Sequence, residues 1–200
     1  MPHRVTELHS IMPIANIASV MAHGILSHEK AARSDHADIS LPDVQDLRAR
    51  TTVPGGLPLH QYANLYFCAR NPMMYRLKGE RLRLCVLQVD RKVLDLPGVV
   101  LTTGNAASNY SRFLPSPAGL RAIPFNDVFA DYWTDDNPIE QMRKKSAKCA
   151  EVLVPHCVQL CFITGAYVSD SIDQSALLTA GFHLPITINA KMFFCGGADL

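Results

Sequence analysis

Glu151 sits where two kinds of sequence meet. Before it runs Arg143-Lys144-Lys145-Ser146-Ala147-Lys148-Cys149-Ala150, basic and compatible with a helix. After it comes Val152-Leu153-Val154, apolar and strand-like. A strand gains nothing from an acid at its mouth, since Glu is depleted in strands. Cations nearby favour the ionised form of such an acid. A fixed carboxylate among cations suits the stabilisation of a developing positive charge while an anionic partner docks beside it. The plainer alternative is a solvated acid at a strand edge, because a perturbed acid marks a functional site only in a statistical sense.

Other chemistries find little support. The eight histidines are scattered, without HExxH or any paired spacing. Cys68, Cys85, Cys149, Cys157, Cys161 and Cys195 form no CxxC pair, and most lie in apolar runs, as buried free thiols do. Neither a metal site nor a disulfide framework is expected. G-x-S-x-G, Walker A and G-x-G-x-x-G strings are missing, so the commonest hydrolase, NTPase and dehydrogenase templates have no footing. With a formal net charge of +1, nucleic-acid contact would have to come from local patches. Two exist: Arg76 and Lys78 with Arg81 and Arg83, and the segment from Arg143 to Lys148. The N-terminus carries an acid and lacks the apolar run of a secretory signal, and no stretch has the length of a membrane span. A cytoplasmic protein without membrane contact is expected.

The elements that must position these residues follow from periodicity. Two hundred residues suit a single domain, 1–200. Ile14, Ile17, Val20 and Met21 share a helical face, which predicts a helix over 11–26 with Pro13 in its first turn and Gly24 at its stop. Residues 27–40 read as a loop, and 42–50 as a short helix ending in Arg48 and Arg50. Strands are predicted around 64–68, 83–89, 99–102 and 158–167. Asn71-Pro72 reads as a turn, and 103–108 as a small-residue loop entering a helix. Asp135 to Pro138 starts the basic helix that leads to Glu151. A helix-like piece and Ile186-Thr187-Ile188 complete the tail. The class is α+β.

Five strings carry a more specific message. They are Leu8-His9-Ser10-Ile11-Met12-Pro13-Ile14-Ala15-Asn16-Ile17 with Gly24-Ile25-Leu26-Ser27; Asp43-Val44-Gln45-Asp46-Leu47-Arg48-Ala49-Arg50; Asn64 to Tyr75; Thr102-Thr103-Gly104-Asn105-Ala106; and the segment containing Glu151. In this order, over roughly residues 8–165, the chain resembles the DarT family of DNA ADP-ribosyltransferases. The tail beyond falls outside the resemblance.

That resemblance implies an ADP-ribosyltransferase-like core in which two small β-sheets form an NAD cleft flanked by helices. It implies transfer of ADP-ribose from NAD to a base of single-stranded DNA, by a bacterial toxin or phage-defence effector that a macrodomain antitoxin can oppose. Glu151 matches the catalytic glutamate and Arg48 the catalytic, NAD-contacting arginine, with Arg50 competing for that place or touching DNA. His9, Ser10, Met12, Asn16, Gly24, Tyr66 and Met74 fall on the NAD side, where Tyr66, Phe67, Met73, Met74 and Tyr75 would line a nicotinamide pocket. Asn105, Trp133, Arg143, Lys144 and Lys145 fall on the DNA side, the aromatic ring and cations forming a platform for a single strand. The N-terminal string departs from the pattern: Ser10 and Met12 stand where His and Thr are usual. Alternatives that keep the site are transfer to RNA, protein or water, or a degenerate member that only binds NAD or DNA.

Overall fold

The computed structural model describes residues 5–33, 36–78 and 83–195; Arg81 lies outside them. In chain order the strands are β1 (Glu7–Pro13), β2 (Ile25–Leu26), β3 (Tyr62–Tyr66), β4 (Leu84–Asp90), β5 (Val100–Thr102), β6 (Phe113–Pro115), β7 (Glu151–Pro155), β8 (Cys157–Val158), β9 (Ile163–Val168) and β10 (Ile186–Ile188). The α-helices are α1 (Ile17–His23), α2 (His28–Ala31), α3 (Pro42–Arg50), α4 (Pro72–Leu77), α5 (Phe125–Val128), α6 (Pro138–Ala147) and α7 (Ser171–Thr179).

Eight strands run in the order β10-β9-β4-β1-β3-β7-β5-β6, and β2 with β8 makes a separate pair. The eight-stranded sheet is nearly two sheets. β1 pairs with β4 from Glu7↔Asp90 to Pro13↔Leu84, and β3 pairs with β7 from Tyr62↔Pro155 to Tyr66↔Glu151. Between β1 and β3 the register holds a single pair, His9↔Tyr66. Beyond it the facing edges part, so two four-stranded halves open a cleft between them. The α+β class is as expected, and the two small sheets that the resemblance implies are here the halves of one larger sheet.

Alternation along β1 sorts its side chains by face. Leu8 and Met12 join the main core with Phe67, Leu87, Val152 and Leu177. Ile11 faces the other way, with Tyr66, Met74 and Phe193. Residues 11–13, expected in a helix, therefore complete a strand, and the helix is confined to Ile17–His23 after a 3-10 turn. The apolar spacing from Ile14 to Met21 is genuine, but it does not reach back across Pro13, which closes the strand. At the far end of α1, Gly24 adopts φ +77, and a Cβ there would come within 2.2 Å of the Val158 carbonyl oxygen. Only glycine lets α1 stop so close to the β2–β8 pair.

Four other readings change. Within the expected loop, Ser27 caps α2, its Oγ accepting the Lys30 N–H at 3.4 Å. Asn71 caps α4, its Oδ1 accepting the Met74 N–H at 3.0 Å, so Asn71-Pro72 begins a helix rather than a turn. Residues 103–108 turn back toward β6 and enter no helix. The tail is integral: Leu177 and Phe182 are core residues, and β10 extends the sheet parallel to β9.

Candidate active site

Glu151 opens β7 and is 1 % exposed. A buried carboxylate needs partners, and a helix and a loop supply them. Arg48, the buried residue of α3, places Nη1 3.3 Å from Oε1 and 3.1 Å from Oε2. The Ala106 N–H donates to Oε1 at 3.0 Å. The Glu151 N–H donates to Thr102 Oγ1 at 3.0 Å, and the Thr102 hydroxyl donates to the Gly104 carbonyl at 2.6 Å. Thr102 thereby ties the start of β7 to the loop that delivers the Ala106 N–H. Gly104 allows this loop to lie on α6, since a Cβ would meet Ser146 Oγ at 2.4 Å.

Tyr66 is the register partner of Glu151. Its hydroxyl donates to Met73 Sδ at 3.2 Å. Burial first, and the Glu151 charge second, push the phenol far above its ordinary value, so it stays protonated. Beyond it the parted edges enclose a hollow of ≈ 180 Å³, with Ser10, Met12 and Pro13 on one side and Tyr62, Asn64 and Tyr66 on the other. Arg48 closes one flank and residues 36–40 another. Asn16 fixes that second wall: its Oδ1 accepts the Ala37 N–H at 2.9 Å and its Nδ2 donates to the Ala37 carbonyl at 2.8 Å. It gives no side-chain cap to α1, the role its position at the helix start suggests. Near Arg48, the His28 and His60 rings meet at 4.2 Å, tilted by 37°, and His60 shares a 2.9 Å hydrogen bond with Gln45. Burial, then His28 and Arg48, lower the His60 pKa and favour the neutral ring.

The residues singled out in the sequence divide by position. Ser10, Met12, Asn16, Arg48 and Tyr66 line the hollow, although the Met12 side chain belongs to the core. His9 lies at the closed junction instead. Its Nε2 is 3.1 Å from Glu7 Oε1, and Glu7 also takes hydrogen bonds from Tyr167 at 2.9 Å and Gln88 at 3.0 Å. The His9 hydrogen bond leads the contacts that hold the Glu7 carboxyl below its usual range. Gly24 serves the end of α1, and Met74 is core, with Met73 taking the place at the hollow. Phe67 is wholly buried, and Tyr75 packs edge-on against Trp133 and Phe194.

On the DNA side, Arg50 is exposed while Arg48 points inward. Asn105 folds its Oδ1 onto the Ala107 N–H at 2.9 Å. Trp133 is half-buried, with Tyr75 and Phe194 against it. Arg143 pairs with Asp127 at 2.6 Å and Glu140 at 2.8 Å, and Lys144 pairs with Asp135 at 2.6 Å. Lys145 remains exposed. Lys148, expected to join the basic platform, is 1 % exposed and donates to the carbonyls of Val128 at 3.1 Å and Ala130 at 2.6 Å. Thr102 and Ala106 were not legible as site residues, whereas Met73 was expected beside the NAD and lines the hollow. Ala106 acts through its backbone, which leaves no mark on residue type. Among the described residues, no group of three or more His, Cys, Asp or Glu could hold a metal ion, and no helix is long and apolar enough to cross a membrane.

Two half-sheets parting around a hollow, with a buried carboxylate where they meet, define an ADP-ribosyltransferase type of core. Residues 9–194 match the family model described as "ssDNA thymidine ADP-ribosyltransferase, DarT", and the chain belongs to this family. The match runs well past residue 165, where the recognisable strings end. A DNA ADP-ribosyl transferase–DNA ADP-ribosyl glycohydrolase fusion protein of Thermosipho africanus is 31% identical over 210 residues, covering 98% of this chain and 52% of that protein. The chain thus spans about half the length of this relative. Thermosipho africanus DarTG in complex with ADP-ribose superposes with a TM-score of 0.81 at 27% identity, over 94% of this chain and 51% of that one. Thermus sp. 2.9 DarT in complex with ADP-ribosylated ssDNA also gives 0.81, at 21% identity, over 94% and 96%, which supports the fold alone.

Proposed function

We propose that this protein transfers ADP-ribose from NAD to a thymine base of single-stranded DNA. The observation that carries the reading is Glu151 buried behind Arg48 and Tyr66, which line the cleft, its carboxylate held by Arg48 and the Ala106 N–H. Breaking the nicotinamide–ribose bond sends the bonding electrons out with nicotinamide and leaves an oxocarbenium-like ribose. A preorganised carboxylate stabilises that charge without reorganising as it forms. The one ring N–H of a thymidine base then loses its proton and bonds to the ribose carbon, with Glu151 within the site to accept the proton. Arg48 is suited to the pyrophosphate, to which a guanidinium can fork. Ser10, Asn16 and Tyr66 complete the NAD wall. Lys145 and Arg50 are the exposed cations assigned to the strand. NAD is the co-substrate, and no metal takes part in this scheme. The fusion of the Thermosipho africanus relative to a DNA ADP-ribosyl glycohydrolase supports a macrodomain-type partner that removes the mark. The site of action is the cytoplasm.

The test is incubation with NAD and a panel of single-stranded oligonucleotides, read by intact mass. Addition of one ADP-ribose to thymine-containing strands is expected from the wild type, and none from Glu151→Gln. Labelling confined to RNA or protein, or nicotinamide release with no labelled strand, would overturn the acceptor assignment.

A further inference from the structure

The aromatic platform expected at Trp133 is not free to stack, because Tyr75 and Phe194 pack edge-on against that ring at 5.6 and 6.2 Å. A different aromatic is free. Tyr110 is 92 % exposed. It stands on the loop that runs from Thr103 to Arg112. The neck of this loop is closed by two hydrogen bonds: the Thr103 N–H donates to the Arg112 carbonyl at 3.2 Å, and the Arg112 N–H donates to Thr103 Oγ1 at 3.0 Å. Asn105 and Ser108 hold the interior, accepting the Ala107 N–H at 2.9 Å and the Tyr110 N–H at 3.3 Å. The same loop gives its Ala106 N–H to Glu151. Tyr110 is four residues further on, so its Cα lies within about 14 Å of that of Ala106. Arg112 is exposed at the neck and makes no ion pair among the described residues.

We propose that this loop docks the acceptor strand, with a base next to the reacting one stacked on the Tyr110 ring and the adjoining phosphate held by Arg112. The inference rests on the proposed DNA-directed reaction and adds the element that presents the strand. Its argument is local. A fully exposed aromatic on a loop with a braced base costs little entropy to stack against. A cation at its root matches a phosphate backbone, and stacking with charge is how single strands are held. Arg143 and Lys144 of α6 do not compete for this part, since they are already paired with acids. Because one end of the loop holds the carboxylate and the other would hold the strand, the loop sets the distance between docked base and reacting ribose.

The test measures binding of a fluorescein-labelled oligothymidylate to the whole chain by anisotropy, without NAD, so that the result does not depend on transfer. Tyr110→Ala is expected to weaken binding by about five- to a hundredfold, the range for losing one base stack. Tyr110→Phe, which keeps the ring, should stay within about twofold on the same grounds. Arg112→Ala should weaken binding and reduce the salt dependence by roughly one phosphate contact. Wild-type affinity in Tyr110→Ala overturns the proposal. So does equal loss in Tyr110→Phe, or an effect confined to a labelled RNA of the same length. Tyr110-dependent binding without any ADP-ribose transfer would count against the proposed reaction and leave the docking loop standing. Transfer that is indifferent to Tyr110 would do the reverse.

Discussion

Arg48 and Arg50 are two residues apart on one short helix, and they differ in almost every physical respect. Arg48 is buried and meets a carboxylate of 1 % exposure, whereas Arg50 faces solvent. Removing one partner of a buried pair strands the other charge, which costs about 3–5 kcal/mol. Arg48→Ala should therefore lose about 3 kcal/mol in urea unfolding, the lower end applying because the Ala106 N–H still serves Glu151. Arg50→Ala should stay within about 0.5 kcal/mol, as surface changes do. Equal losses would mean that the pair contributes nothing to the fold. Glu151 itself was legible, because an acid at the junction of a basic helix and an apolar strand conflicts with strand propensity. The choice between the two arginines was not, because on a nine-residue helix it depends on which face packs, and the packing surface is built from strands a hundred residues away. The basic run before Glu151 misled for a related reason: a sequence of cations does not show that Asp127, Asp135 and Glu140 fold back onto them, or that Lys148 is buried.

At the scale of elements, the strand β1 shows how periodicities compete. Alternation over Leu8 to Met12 and helical spacing from Ile14 to Met21 overlap at Pro13, and the longer pattern obscured the shorter. The loop after β5 shows a second limit, since its part in the site runs through Thr102 Oγ1 and one backbone N–H. Thr102→Val keeps the shape but leaves a buried N–H and carbonyl without their partner, which costs about 1–3 kcal/mol. It should also lower kcat for nicotinamide release more than it raises KM for NAD, because the loss falls on how Glu151 is held. Thr102→Ser should restore both; if it fails to, the hydroxyl is not the cause. The tie between α6 and the segment at 128–130 gives a pH signature. Burial lowers the Lys148 pKa below its ordinary 10.5, so between the lowered value and 10.5 the unfolded chain binds the extra proton. Stability then rises with pH across that window. Cys149, pushed up to about 12, works in the opposite sense above pH 9. The informative quantity is accordingly the wild type minus Lys148→Met, from urea titrations between pH 7 and 10.5. That difference should move in favour of the wild type as pH rises, and a flat difference would refute the assignment.

At the scale of the molecule, the decisive feature is a sheet that is continuous in name and divided in fact. The halves β10-β9-β4-β1 and β3-β7-β5-β6 touch through His9↔Tyr66, while the rest of the facing edges bound the hollow. Shared core residues such as Leu8, Leu65 and Phe67 hold the halves together behind the cleft. In front of it, the junction, the Asn16-braced wall and Arg48 border the gap. A dinucleotide lying there would bridge both edges, so its effect should be felt on each. At a concentration a hundredfold above its Kd, NAD should stabilise the fold by about 2.7 kcal/mol, as any ligand of the native state alone does. Hydrogen exchange locates that gain. Amides of residues 10–12 on β1, 62–66 on β3 and 36–40 on the far wall should slow together on adding NAD, because closing the cleft removes the local opening through which they exchange. The edge strands β6 and β10, far from the junction, should change least. Slowing on one edge only would mean that the ligand rests on a half-sheet and does not span the two. In that case Ser10 and Met12, which line the hollow on the β1 edge, would be the first to examine, with NAD affinity of Ser10→His as the measurement.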